Sequence, residues 1–178
     1  DIATGLASQG IATFRYDKRT NVYGKELMET PEKLGINEEV IEDALSAITL
    51  LKKNPLFVKS KIIVIGHSLG AMCAPLIAKK AKALNGIILM AGNARPLEDV
   101  VLEQYNYIYG LDSIDASEKK EIENYKLQLA RVKNSSVLKS SKADDLPLGL
   151  HSYYWQTLVS YNQVDVAKKI KQPIQMMR

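Results

Sequence analysis

The run Ile62-Ile63-Val64-Ile65-Gly66-His67-Ser68-Leu69-Gly70-Ala71 decides how the rest of the chain is read. Ile62 to Ile65 is a continuous β-branched stretch, the pattern of a strand covered on both faces. A helix is expected from about Leu69, with the small residues Ala71 and Ala74 in its first turns. Between strand and helix stands G-x-S-x-G, and that context turns a common pentapeptide into a specific signal for a nucleophilic serine. A serine hydroxyl attacks a carbonyl only if a sharp turn projects it toward both its base and the substrate. In such a turn the positions two before and two after the serine approach neighbouring backbone, so Gly66 and Gly70 are expected to be glycines for want of room. The competing reading is a chance match in a helix-capping turn.

A serine at this place also sits at a helix N-terminus, where free N–H groups and the helix dipole favour developing negative charge. The backbone N–H of Leu69 is the expected oxyanion donor, a contribution worth roughly 3–4 kcal/mol in the transition state. Pro75, further into the same helix, removes a hydrogen bond and predicts a kink.

Outward from the elbow, the chain alternates strand and helix. Ile2 to Gln9 reads as the end of a helix closed by Gly10, and Ile11 to Tyr16 as a short strand. Asn37 to Asn54 is an amphipathic helix with Val40, Ile41, Ala44, Leu45, Ile48 and Leu51 on one face. Asn37 is its expected cap, Lys52 and Lys53 suit its C-terminus, and Pro55 stops it. Ile87 to Met90 and Pro173 to Met177 are further buried-type strands. This rhythm implies an α/β fold with a mostly parallel sheet and helices on both faces.

Between Arg95 and Tyr161 no buried-strand pattern occurs. Asp115 to Asn134 is an amphipathic helix with Ile122, Tyr125, Leu129 and Val132 on one face and Asp115 and Glu118 at capping spacing. Helical patterns resume over Ser152–Tyr161 and Val164–Ile170. Seven of the nine tyrosines and the single Trp lie in this segment. The rings either line a pocket under a lid, with Tyr154 and Trp155 as candidate substrate contacts, or fill the insertion's own small core. The division is therefore 1–94 core with the elbow, 95–161 helical cap or lid, and 162–178 return to core helix and strand.

At these residues the chain resembles bacterial α/β-hydrolases of the esterase and lysophospholipase-like group. The likeness rests on Gly66-His67-Ser68-Leu69-Gly70 after a hydrophobic strand and on Gly10 to Arg19, similar to that family's strand ending in Arg-Tyr-Asp. It extends to Ala91-Gly92-Asn93-Ala94-Arg95-Pro96-Leu97 and to Ser152-Tyr153-Tyr154-Trp155. Where many members carry Gly-x-Gly, this chain has Thr20-Asn21-Val22-Tyr23-Gly24. The resemblance implies a triad in the order serine, acid, histidine. It implies too that the acid and histidine lie beyond Arg178, that the second oxyanion donor lies before Asp1, and that the chain is an incomplete piece of the enzyme. A further strand is then expected between Ile11–Tyr16 and Ile62–Ile65, because without it both present open edges. His67, next to the nucleophile, and His151, in the insertion, are poor candidates for the base. Asp17 is expected to brace its own turn with Arg15 or Arg19.

The implied activity is hydrolysis of a carboxylic ester through an acyl-enzyme on Ser68. Thioesterase, peptidase or acyl-transferase chemistry would use the same elbow, and a catalytically dead binding protein is the alternative from another class. No cofactor or metal is implied, since one Cys and two His leave no cluster at metal-ligand spacing. The net charge of +4 is spread over scattered lysines, without the basic stripe and interleaved aromatics of a nucleic-acid reader. No apolar run approaches the roughly 18 residues of a membrane span. Export and oligomeric state stay open, as the chain starts at Asp1 without an initiating Met.

Overall fold

Strand, helix, strand is what the centre of the chain forms, and the computed structural model describes residues 1–111 and 115–177. In chain order the first helices are α1 (Ile2–Ser8), α2 (Arg19–Val22), α3 (Gly24–Met28), α4 (Glu42–Lys53) and α5 (Leu69–Lys80). They are followed by α6 (Leu97–Tyr109), α7 (Ala116–Lys133), α8 (Ser135–Ser140), α9 (Ser152–Val159) and α10 (Gln163–Ala167). The strands are β1 (Ile63–His67), β2 (Gly86–Met90) and β3 (Ile174–Met177).

The sheet is parallel, in the order β1-β2-β3, with His67 opposite Met90 and Ile87 opposite Ile174. Parallel neighbours need a crossover. α5 supplies the first, packing on both β1 and β2, and the long helical segment from α6 to α10 supplies the second. The expectation that helices cover both faces is corrected. Ile62 is buried and Val64 packs into the core, but Ile63 and Ile65, on the opposite face, are 53% and 41% exposed. Among the described residues α5 packs on β1 and β2, and the face that carries Ile63 and Ile65 is the more exposed one. Among the described residues β1 is an end strand, with no strand partner on its outer edge.

The strand expected at Ile11–Tyr16 is not formed. A strand exists only through a partner, and these residues have none among those described; Ile11, Phe14 and Tyr16 stay about half exposed. No hydrogen bond joins them to β1 among the described residues. Just before them, Gly10 does close α1. Its φ of +76° lets its N–H reach the Ala7 carbonyl while the Ile11 N–H reaches Leu6, the reciprocal pattern of a left-handed helix stop.

The Asn37–Asn54 reading holds over α4, where Ile41, Ala44 and Ile48 are buried and Val40, Leu45 and Leu51 pack beside them. Its start differs. Asn37–Ile41 forms a π-helical turn, and Asn37 caps nothing; its side chain accepts from Lys80 instead. The free N–H groups ahead of the turn are taken by Glu38, bonded to the Gly35 amide at 2.9 Å, and by Thr157, bonded to the Ile36 amide at 3.1 Å. A partner 121 residues away has displaced the local cap.

Between Arg95 and Tyr161 the described residues form α6 to α9 and two short 3-10 turns, with no strand among them. α7 begins with a full capping box: Asp115 accepts from the Glu118 amide at 2.8 Å and Glu118 from the Asp115 amide at 2.9 Å. Ile122, Tyr125, Leu129 and Val132 are all buried. Asp115→Ala should cost about 1 kcal/mol of stability, the usual worth of such a cap. Urea unfolding measures it, and an unchanged midpoint would count against the box as a stabilising feature. The inner part of this segment is not a detached layer. Val132, Leu138, Leu146, Trp155 and Leu158 share one hydrophobic cluster with Ile36, Ile41 and Ile48 and with Met72, Cys73 and Ile77 of α5.

Candidate active site

Ser68 stands at the junction of β1 and α5 with φ +53° and ψ −115°. A non-glycine residue in that region costs of order 1–3 kcal/mol and persists only where the surroundings enforce it. Here they do. The Ser68 amide is tied to the Met90 carbonyl at 3.0 Å, and the Ser68 carbonyl accepts from the Met72 amide at 3.0 Å as the first turn of α5 closes. The strand side and the helix side are both anchored, so the residue between them takes the strained turn. Its side chain is exposed.

Gly66 makes this turn possible. A Cβ there would lie 2.3 Å from the Gly70 carbonyl oxygen, a backbone atom that cannot step aside. Gly70 is different, and the expectation for it is corrected: a Cβ on Gly70 would meet nothing within 4 Å. One glycine is required by contact; the other is not.

Leu69 is the first residue of α5, so its N–H has no acceptor within the helix and remains available beside Ser68. Pro75 lies inside α5, which runs as one helix from Leu69 to Lys80. The Tyr161 hydroxyl donates to the Met72 carbonyl at 2.7 Å, close to where the proline removes a backbone donor. A cavity of about 160 Å³ opens beside this first turn, lined by Met72, Ala94, Leu97, Glu98, Leu158 and Tyr161 among others. It lies toward the carboxyl ends of β1 and β2, where ligands bind in open parallel sheets.

With that geometry in view, the comparison with known proteins is specific. Over 98% of its length the chain is 38% identical to esterase EstD of Thermotoga maritima. The chain is a relative of an esterase. It spans 38% of that relative's length. No protein-family model matches the chain, and no solved structure matches it significantly.

The other residues singled out in the sequence fall into place differently. His67 is exposed, and its side chain has no hydrogen-bond partner among the described residues. His151 caps α9, its Nδ1 accepting from the Tyr153 amide at 3.2 Å. Tyr154 and Trp155 lie in the core, not beside Ser68. Trp155 is fully buried with its indole N–H on the Pro147 carbonyl, and the Tyr154 hydroxyl donates to Glu39. Burial pushes the Tyr154 phenol up, and the Glu39 bond adds to the shift. Asp17 does not brace Arg15 or Arg19. Arg15 pairs with Asp1, while Arg19 forms a fork on Asp43 at 3.0 and 2.5 Å. The segment replacing Gly-x-Gly is largely the short helix α2.

Three residues near the cavity were not found from the sequence: Glu98, Tyr161 and Gln163. Gln163 is buried and its amide donates to the Asn93 side chain and to the Asn93 and Arg95 carbonyls, holding the loop after β2. No sequence pattern connects positions 70 apart. Glu98 carried a signal, since an acidic pair after Pro96 suits the first turn of a helix.

Among the described residues no group of three or more His, Cys, Asp or Glu side chains could hold a metal ion. No helix among them is long and apolar enough to cross a membrane. Cys73, on the inner side of α5, is fully buried, and burial pushes its thiol up to about 12. The thiolate is the reactive form. Native protein should therefore leave Cys73 unmodified by Ellman's reagent at pH 8 over minutes, with full reaction in guanidinium. Rapid labelling of folded protein would show that this part of the core opens.

Proposed function

We propose that the chain carries the nucleophile of a serine esterase, with Ser68 attacking the carbonyl carbon of a carboxylic ester. The observation that carries the reading is the exposed hydroxyl on a strained strand-to-helix turn, next to unpaired helix amides. The relationship to an esterase supports ester hydrolysis as the reaction.

In this mechanism the Ser68 Oγ forms a bond to the carbonyl carbon while its proton passes to a histidine supplied from beyond Arg178. The carbonyl electron pair moves onto oxygen, where the Leu69 N–H holds it. Collapse expels the alcohol, which takes the proton from the histidine and leaves an acyl-enzyme. Water repeats the sequence and frees the acid. In the same reading residues 1–94 and 162–178 contribute to the hydrolase core and residues 95–161 form a cap over its substrate side. Tyr154 and Trp155 support that cap from within its core.

The test is labelling of the full-length protein with a fluorophosphonate, followed by peptide mapping. The adduct is expected on Ser68; an adduct on another serine, or none while esters are turned over, would overturn the assignment.

A further inference from the structure

The cavity beside α5 holds a feature that ester hydrolysis does not use. Glu98 is only 6% exposed, yet no other residue among those described donates a hydrogen bond to its carboxylate. Its side chain is partnered only by its own backbone amide. Glu98 is one of the residues that line the cavity.

The neighbouring polar groups are already engaged. The Gln163 amide donates to Asn93 and Arg95, the Tyr161 hydroxyl donates a hydrogen bond to the Met72 carbonyl, and the Asn162 side chain caps α10 at Asp165. Lys133, the cation that acts on Glu98, is itself paired with Asp99 at 2.7 Å, and Arg95 pairs with Glu103 at 2.5 Å. The remaining wall is apolar: Met72, Ala94, Pro96, Leu97 and Leu158. Burial pushes the Glu98 carboxyl up, with its own backbone amide and Lys133 offsetting part of the shift, so a cation bound in the cavity would favour its charged form. The volume of about 160 Å³ is that of a cavity able to hold a benzene-sized group.

We propose that this cavity is a substrate subsite for a short apolar arm ending in a protonated amine, with Glu98 as the residue that binds the cation. The proposal rests on the serine-esterase reading for its role in turnover, and Met72, whose amide bonds to the Ser68 carbonyl, ties the subsite to the nucleophile turn. Binding of the amine stands independently of that reading.

The first experiment is calorimetry on the full-length Ser68→Ala protein with 2-(dimethylamino)ethanol and its neutral isostere 3-methylbutan-1-ol. The amine is expected to bind at least about tenfold tighter, a difference of roughly 1.4 kcal/mol. Glu98→Gln should abolish that difference while the far-ultraviolet dichroism stays the same. Equal binding of the two alcohols, or a preference that survives Glu98→Gln, would overturn the subsite. Ala94→Phe, which adds bulk to the cavity wall, provides a second variant that keeps Glu98; undiminished amine binding in it would also overturn the proposal. The second experiment compares kcat/KM for the acetates of the same two alcohols. A preference for the amine ester in the wild type that vanishes in Glu98→Gln supports the subsite in turnover. Failure to hydrolyse either acetate counts against the esterase reading instead, and the binding result then decides the subsite alone.

Discussion

Ser68→Ala should lower kcat for p-nitrophenyl acetate by roughly 10⁶-fold in the full-length protein, the loss seen when a triad serine is removed. Fluorophosphonate labelling should disappear with it. The folded state should survive, because the Ser68 side chain is exposed and makes no hydrogen bond among the described residues. What holds the turn is backbone: the Ser68 amide on Met90 and the Ser68 carbonyl under Met72. Alanine keeps both bonds and loses only the oxygen. A variant that kept its turnover and its labelling would remove Ser68 from the chemistry altogether.

Gly66→Ala should be among the most damaging single-atom changes in the chain, destabilising by about 3 kcal/mol or more. The added methyl would sit 2.3 Å from the Gly70 oxygen and 2.7 Å from the Ala71 nitrogen. Both atoms belong to the first turn of α5, so relief requires shifting the helix away from β1. That shift also moves Ser68 and the Leu69 amide, and activity should fall with stability. Gly70→Ala is the control. It meets nothing within 4 Å, lies in a helix, and should be neutral or stabilise by about 0.5–1 kcal/mol. Chemical denaturation of the two variants separates them, and equal costs at the two positions would show that contact at Gly66 is not what the motif protects.

The two glycines mark how far the motif reads. G-x-S-x-G is symmetrical on paper, but only the tertiary backbone shows that one glycine faces the helix and the other faces open space. The turn at Ser68 was legible because everything that makes it is local. A β-branched run ends, a helix begins, and the serine between them must turn sharply. The same holds for α7, whose capping box and buried stripe are set by residues three and four apart, and for Gly10, whose positive φ closes α1 within one turn.

Tyr154 and Trp155 were legible only as aromatics in a helix. Their burial under Glu39 and Pro147 depends on how α9 lies against the π-helical turn at Asn37–Ile41, which brings together residues 115 apart. Arg19 found Asp43 in preference to Asp17 for a similar reason: α4 presents a carboxylate that can accept both arms of the guanidinium fork. Ile11–Tyr16 has the composition of a strand, yet composition cannot provide the hydrogen-bonding neighbour that makes one.

From sequence alone came the parallel α/β arrangement, the sharp turn at Ser68 and the helices α7 and α9, all products of periodicity, caps and backbone sterics over a few residues. Only the tertiary structure decided which face of the sheet α5 packs on, that Ser68 takes its strained turn between two anchored carbonyl and amide bonds, and that Glu98 is buried among the residues lining a cavity with Met72 of α5. Those outcomes depend on contacts between segments tens of residues apart, and such contacts are chosen by packing and charge complementarity across the whole fold.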